Sequence, residues 1–227
     1  VLEETKRSAP FLPVTIRDQL SFDEIARIAA NTPNLPGVSV EQGLSRVYPS
    51  FESYAHVVGY VGPVSDNDLK KGYENNPLLK IPRFQVGKVG IEKHYEDILR
   101  GSAGVMKVEV NALGRVMRNL DRKEGKPGNN IQLTVDTELQ SYIQARLGSE
   151  SASAVVMNCK NGEILAIASS PSYDPNKFVK GISYSDFNEL RDNEFRPLAS
   201  KTVQDAYPPG STFKLVTALA ALEANII

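Results

Sequence analysis

Tryptophan is absent from the 227 residues, and only 7% of them are aromatic, so the chain offers no platform for stacking bases. Neither sign of charge prevails. Lys and Arg number 26, Asp and Glu 27, and the net charge of −1 gives no electrostatic case for nucleic acid or an anionic surface. Cys159 is the single cysteine, which excludes an intrachain disulfide; it sits in the turn Asn158-Cys-Lys-Asn-Gly162 with no histidine or basic cluster nearby to activate a thiol. The two histidines, His56 and His94, lie far apart, and no close-spaced His/Cys/Asp/Glu set suggests a metal or other cofactor. No apolar run reaches the length of a membrane span, and no signal peptide is recognisable. What remains is an ordinary globular balance, 41% hydrophobic and 23% charged, of a length that suits one large or two small domains.

Along the chain, helix and strand signals alternate without repeats, an α+β pattern. Residues 1–20 are polar and broken by Pro10 and Pro13, with a short strand expected at Val14–Ile16. Ser21-Phe-Asp-Glu24 reads as a capping box opening a helix to about Ala30, with Phe22 and Ile25 inward. Pro33, Pro36 and Gly37 stop it, and Val38 to Tyr48 alternates as extended chain. His56 to Gly62 fits either a buried segment or a loop, and a weak helical pattern follows from Ser65 to Tyr73. Gly90 to Leu99 predicts a helix with Ile91, Tyr95 and Ile98 on one face and Gly101 as its C-cap. Its Glu92 invites a catalytic reading, against the plainer one of a first-turn acid held by the helix dipole and an arginine.

Val105–Val110 and Arg115–Leu120 flank Asn111-Ala-Leu-Gly114 as a hairpin. Asp121 to Asn130 is the best linker, so the expected domains are 1–128 and 129–227. Beyond it come a strand at Ile131–Val135 and a helix from a capping box at Thr137-Glu-Leu-Gln140 to Leu147. A hairpin follows, Ala154–Asn158 and Glu163–Ala168 around Asn161-Gly162, and then a short helix at Tyr184–Leu190.

The chemistry is concentrated in Tyr207-Pro-Pro-Gly-Ser-Thr-Phe-Lys214. The prolines and glycine forbid helix up to that point, and good helix formers with Leu215, Leu219 and Leu222 on one face follow. Ser211 therefore stands in the first turn, with Lys214 one turn later on the same face. A serine hydroxyl needs a base near neutral pH, and a lysine serves once desolvation lowers its pKa. The helix N-terminus suits a developing oxyanion. Ser-x-x-Lys alone is weak, since roughly one such spacing arises by chance in a chain this long; its bland reading is an N-cap and a solvated lysine.

The surrounding sequence raises its weight. Tyr207–Lys214 resembles the active-site serine motif of class B penicillin-binding proteins, and Ala168-Ser-Ser-Pro-Ser-Tyr-Asp-Pro-Asn176 resembles the stretch that precedes it there. Gly87-Lys-Val-Gly-Ile-Glu92, Tyr95-Glu-Asp-Ile-Leu-Arg-Gly101, Arg46-Val-Tyr-Pro49 and His56-Val-Val-Gly-Tyr60 resemble the non-catalytic pedestal, or dimerisation, domain of the same enzymes. The resemblance covers most of the chain in order, and within the family it is to the branch acting in cell elongation.

It implies a pedestal followed by the N-terminal part of a transpeptidase domain, whose central antiparallel sheet starts with the 154–168 hairpin and carries the serine helix. It also implies Ser211 as nucleophile toward the D-Ala-D-Ala of peptidoglycan stem peptides, Lys214 as general base, and β-lactams as acylating mimics. An N-terminal inner-membrane anchor before Val1, a periplasmic location, and Ser-x-Asn and Lys-Thr/Ser-Gly motifs beyond Ile227 are further expectations, with the 227 residues inactive by themselves. Expected partners are the glycosyltransferase and scaffold proteins of the elongation complex, with a homodimer also open. Two competing readings stand beside the enzyme: a scaffold module, since residues 1–128 hold no nucleophile–base pair, and a serine β-lactamase or sensor domain of the same fold, against which the pedestal argues.

Overall fold

The structure is a computed structural model that describes residues 14–18, 20–41, 43–65, 68, 77–80, 84–111, 116–179 and 181–227. The chain divides into two compact units, Val1–Leu133 with Asp174–Tyr184, and Thr134–Tyr173 with Ser185–Ile227. The architecture is α+β, with short helices and three separate two-stranded antiparallel sheets among the described residues.

In the first unit, α1 (Phe22–Asn31) carries the full capping box. Ser21 Oγ accepts from Glu24 N at 3.3 Å, and Glu24 Oε2 accepts from Ser21 N at 2.9 Å. Its apolar stripe is not inward. The helix buries no residue, and Phe22 is 84% exposed. Val14–Ile16 is not a strand, and among the described residues of 38–48 none belongs to a strand and only Tyr48 is buried. After a 3-10 turn (Phe51–Tyr54), the ambiguous 56–62 stretch resolves into the end of α2 (Ala55–Val58) and the start of β1 (Val61–Pro63), which pairs with β2 (Gln85–Gly87). Most of the 65–73 pattern lies outside the described residues.

Tyr48, Val61 and Val179 form the core of this unit, with Val58 and Tyr60 against them. Tyr60 stacks on Phe178, ring centroids 4.1 Å apart, so α6 (Asn176–Val179) belongs to this core although it follows the second hairpin in sequence.

The expected 90–99 helix is broken at Tyr95 into α3 (Gly90–His94) and α4 (Glu96–Arg100), closed by Gly101. Its inward residues are acids. Glu92 and Glu96 are 4% and 8% exposed, whereas Tyr95 and Ile98 face solvent. Glu96 Oε2 accepts from Gly87 N at 2.6 Å and its Oε1 from Arg100 Nε at 2.9 Å. Each buried carboxylate has found donors that an apolar side chain could not satisfy, and that outweighs hydrophobic periodicity.

β3 (Val105–Val110) pairs with β4 (Val116–Lys123), the turn at 112–115 lying outside the described residues. β4 runs into the expected linker, because Asp121, Arg122 and Lys123 face Lys107, Met106 and Val105. The rest of that stretch is docked as well: Ser102 and Lys126 exchange hydrogen bonds at 2.9 and 3.0 Å, and Asn129 N donates to Ile98 O at 2.9 Å.

In the second unit, β5 (Ala152–Met157) and β6 (Ile164–Ser170) form the expected hairpin, turned by Asn158 to Gly162. α7 (Tyr184–Asp192) also forms, slightly longer than its pattern predicts. Ile131–Val135 is not a strand. Thr134 Oγ1 and Asp136 N donate instead to Ile164 O and Leu165 O, at 2.7 and 2.8 Å. The cap of α5 (Thr137–Leu147) is Asp136, whose Oδ1 accepts from Leu139 N at 2.8 Å; no Thr137–Gln140 box forms because Gln140 is engaged elsewhere.

Gln140 is fully buried and behaves as a missing strand: its Nε2 donates to Ile167 O and its Oε1 accepts from Ile167 N, both at 2.9 Å. Gln144 Nε2 reaches Ser169 O at 3.3 Å. Asp136, Gln140 and Gln144 thus serve Leu165, Ile167 and Ser169 in turn. Four helical residues advance about 6 Å and two strand residues about 7 Å, so one face of α5 keeps step with one edge of β6 and covers it.

Gln140→Leu leaves the N–H and C=O of Ile167 without partners, and an expected loss of about 3 kcal/mol in unfolding free energy follows from two unsatisfied groups. Urea unfolding measures it, and a midpoint equal to wild type contradicts the role given to Gln140.

Candidate active site

Ser211 and Lys214 are brought to the head of the last helix. Gly210–Phe213 is a 3-10 turn and α8 (Lys214–Glu223) continues it. Ser211 lies in the turn, and Lys214 is the first α-helical residue. Pro208 and Pro209 supply fixed φ angles and no N–H donors before the helix. Thr212 N donates to Pro209 O at 3.2 Å, and the Thr212 hydroxyl donates to the same carbonyl. Gly210 has φ +52°, the left-handed region that an L side chain resists, and no atom lies near where a Cβ would stand.

Ser211 and Lys214 are both exposed. The desolvation that would make Lys214 an efficient base is therefore not supplied by the described residues around it. The apolar face of α8 also meets water, with Leu215, Leu219 and Leu222 at 73%, 66% and 56% exposure.

The approach to the motif is held by polar contacts that the sequence pattern did not single out. Lys201 is 5% exposed; its N–H donates to the buried Ser169 Oγ at 3.1 Å, and its Nζ donates to Phe195 O at 2.7 Å. Burial pulls the Lys201 amine down from its ordinary pKa, opposed by the nearby Asp205 carboxylate. Asp205, its side chain 8% exposed, receives Arg196 Nη1 on Oδ1 at 2.9 Å and the Tyr207 hydroxyl on Oδ2 at 2.8 Å. That hydrogen bond is the leading cause that raises the Tyr207 phenol above its usual range. A cavity of about 430 Å³ opens beside these groups, lined by Ser151, Lys201 and Tyr207 among others. Nothing in the sequence singles these residues out, since Arg196, Lys201 and Asp205 are spaced singly in a segment read as loop.

Glu92 is placed in the first unit as a structural acid. Arg46 Nε lies 2.7 Å from its Oε1 and Arg46 Nη2 3.0 Å from its Oε2, and the Tyr48 hydroxyl donates to Oε1 at 3.2 Å. Cys159 is exposed in its turn. Among the described residues no group of three or more His, Cys, Asp or Glu is placed to hold a metal ion, and no helix is long and apolar enough to cross a membrane.

A two-unit chain with a serine motif at the head of its last helix matches two family models in sequence order. Residues 2–133 match the penicillin-binding protein dimerisation domain, and residues 152–227 match the penicillin-binding protein transpeptidase domain. The chain belongs to the penicillin-binding proteins. Within that family its relatives include the peptidoglycan D,D-transpeptidase MrdA of Escherichia coli K12, 39% identical over 226 residues, 99% of this chain and 36% of the relative. Penicillin-binding protein 2 of Pseudomonas aeruginosa, solved in complex with WCK 5153, superposes with a TM-score of 0.68 at 37% identity, covering 84% of this chain and 38% of that one. Penicillin-binding protein 2 of Helicobacter pylori, solved in complex with MreC, gives 0.78 at 32% identity over 92% of this chain and 38% of the other. The chain therefore spans somewhat more than a third of the length of these relatives.

Gly210→Ala adds no clash and only backbone strain, on the order of 1 kcal/mol. Faster amide exchange is expected across the first turn of α8, with Gly210→Asn less affected because Asn tolerates this region better. Unchanged protection in Gly210→Ala would show that the turn does not need its left-handed residue.

Proposed function

We propose that this chain is part of a peptidoglycan D,D-transpeptidase of the penicillin-binding protein 2 type. The observation that carries the reading is the Tyr207–Lys214 motif at the head of a helix within residues that match the transpeptidase family model. Ser211 Oγ attacks the penultimate D-Ala carbonyl of a stem peptide while Lys214 Nζ accepts its proton. D-Ala leaves with a proton, and the acyl group passes from Ser211 to an amine of a neighbouring stem peptide. The Ser211 N–H supplies one oxyanion donor. A second is needed for full rate, since loss of one donor typically costs a hundred- to thousandfold. β-lactams acylate the same oxygen because they imitate the D-Ala-D-Ala bond.

The 227 residues by themselves are inactive in this reading. The exposure of Lys214 supports this, since a lysine base requires a drier surrounding. Residues 1–128 act as a pedestal and 129–227 as the start of the catalytic domain, on a protein anchored in the inner membrane and facing the periplasm.

A second reading, a scaffold module of the elongation complex, is favoured by one observation: a likeness to the Helicobacter protein solved with MreC, extending over 92% of this chain. In it the pedestal contacts scaffold proteins and a glycosyltransferase, or pairs with a second copy.

Intact-mass detection of penicillin acylation separates the two. The full-length protein is expected to gain one penicilloyl group, with none on full-length Ser211→Ala and none on the 227-residue chain. A full-length protein that gains no mass overturns the enzyme reading and leaves the scaffold.

A further inference from the structure

Within these 227 residues α8 buries none of its side chains, and Tyr207 to Phe213 are all exposed. The chain leading to it is tied down upstream. There Lys201 ties the chain to β6 through Ser169 and to the 193–199 loop through Phe195. Four residues later Asp205 uses its two oxygens on two different partners, Arg196 of that loop and Tyr207, the first residue of the serine motif.

We propose that Asp205 is a positioning residue for the nucleophile, bridging Arg196 to Tyr207 so that Pro208-Pro-Gly-Ser211 leaves the loop in one direction. The proposal rests on the reading of Ser211 as the acylated group. Three physical points support it. Both hydrogen bonds are made to a carboxylate whose side chain is 8% exposed, and charge-assisted contacts of that kind are the stronger ones. Pro208 and Pro209 have little freedom in φ, so the orientation fixed at Tyr207 is transmitted to Gly210 instead of being lost in a flexible linker. Nucleophilic attack is also intolerant of displacement, about a hundredfold in rate for a misplacement near 1 Å. Neither contact of Lys201, to Ser169 Oγ and to Phe195 O, uses Asp205, so removal of the carboxylate frees Tyr207 while both remain.

The test uses the full-length protein and a fluorescent penicillin, with labelling followed over a range of concentrations so that half-saturation and the limiting acylation rate are read separately. Asp205→Ala and Tyr207→Phe are each expected to lower the limiting rate about tenfold, with half-saturation and melting temperature unchanged. The double variant is expected to be no slower than the slower single one, because both changes remove the same contact. Asp205→Asn, which keeps an acceptor for the Tyr207 hydroxyl, should label faster than Asp205→Ala. Wild-type rates in the single variants, multiplied effects in the double, or slowing that merely follows a lowered melting temperature each overturn the proposal. Failure of the underlying reading looks different: wild type unlabelled, or Ser211→Ala still labelled.

Discussion

One buried carboxylate organises the first unit. Glu92 is 4% exposed, and its two oxygens take Arg46 Nε and Nη2 and the Tyr48 hydroxyl. The same hydroxyl accepts from Val61 N at 2.9 Å, which fixes β1. The backbone of Tyr48 exchanges hydrogen bonds with the Asn176 side chain, both at 2.9 Å, and so brings α6 onto the core. Gly87 passes so near that a Cβ there would sit 2.0 Å from Glu92 O. Burial together with the Glu92 charge pushes the Tyr48 phenol well above its ordinary pKa, so it stays a donor at any physiological pH. Residues distant in sequence thus converge on a single ion pair. Removing one member of such a pair is costly because the other keeps its desolvation penalty without its compensation.

The second unit is held by a different device. Its sheet has two strands, too few to cover themselves, and α5 with its N-cap supplies the covering through hydrogen bonds, the Asp136 N–H and the Gln140 and Gln144 side chains. Asp136, Gln140 and Gln144 follow β6 residue by alternate residue, and Lys201 adds the next stitch at Ser169. From that edge the chain passes through the Arg196–Asp205–Tyr207 contacts, so a line of hydrogen bonds that starts at the sheet reaches the first residue of the serine motif.

What could be read in the sequence was what local chemistry decides. The Ser21–Glu24 capping box, the Asn161-Gly162 turn and the break before the last helix each depend on neighbours a few residues away, and each formed. What could not be read was decided by distant partners. Ile91, Tyr95 and Ile98 have the spacing of an inward face, yet Arg46, Arg100 and Gly87 offered donors that drew Glu92 and Glu96 inside. The charged run after Leu120 has a linker's composition, but β3 gave its backbone a partner. Gln140 looked like half of a cap and proved to be a substitute strand. The serine motif was legible through its resemblance, whereas the Asp205 contacts that aim it belong to a loop without periodicity.

The measurement that tests this account most directly is the equilibrium unfolding of Glu92→Ala beside Arg46→Ala and the double variant. The account predicts that Glu92→Ala costs about 3 kcal/mol and that the double variant is little worse than the single, since the pair fails as a unit. A Glu92→Ala protein as stable as wild type would contradict it, and would return that buried acid to consideration as a functional group.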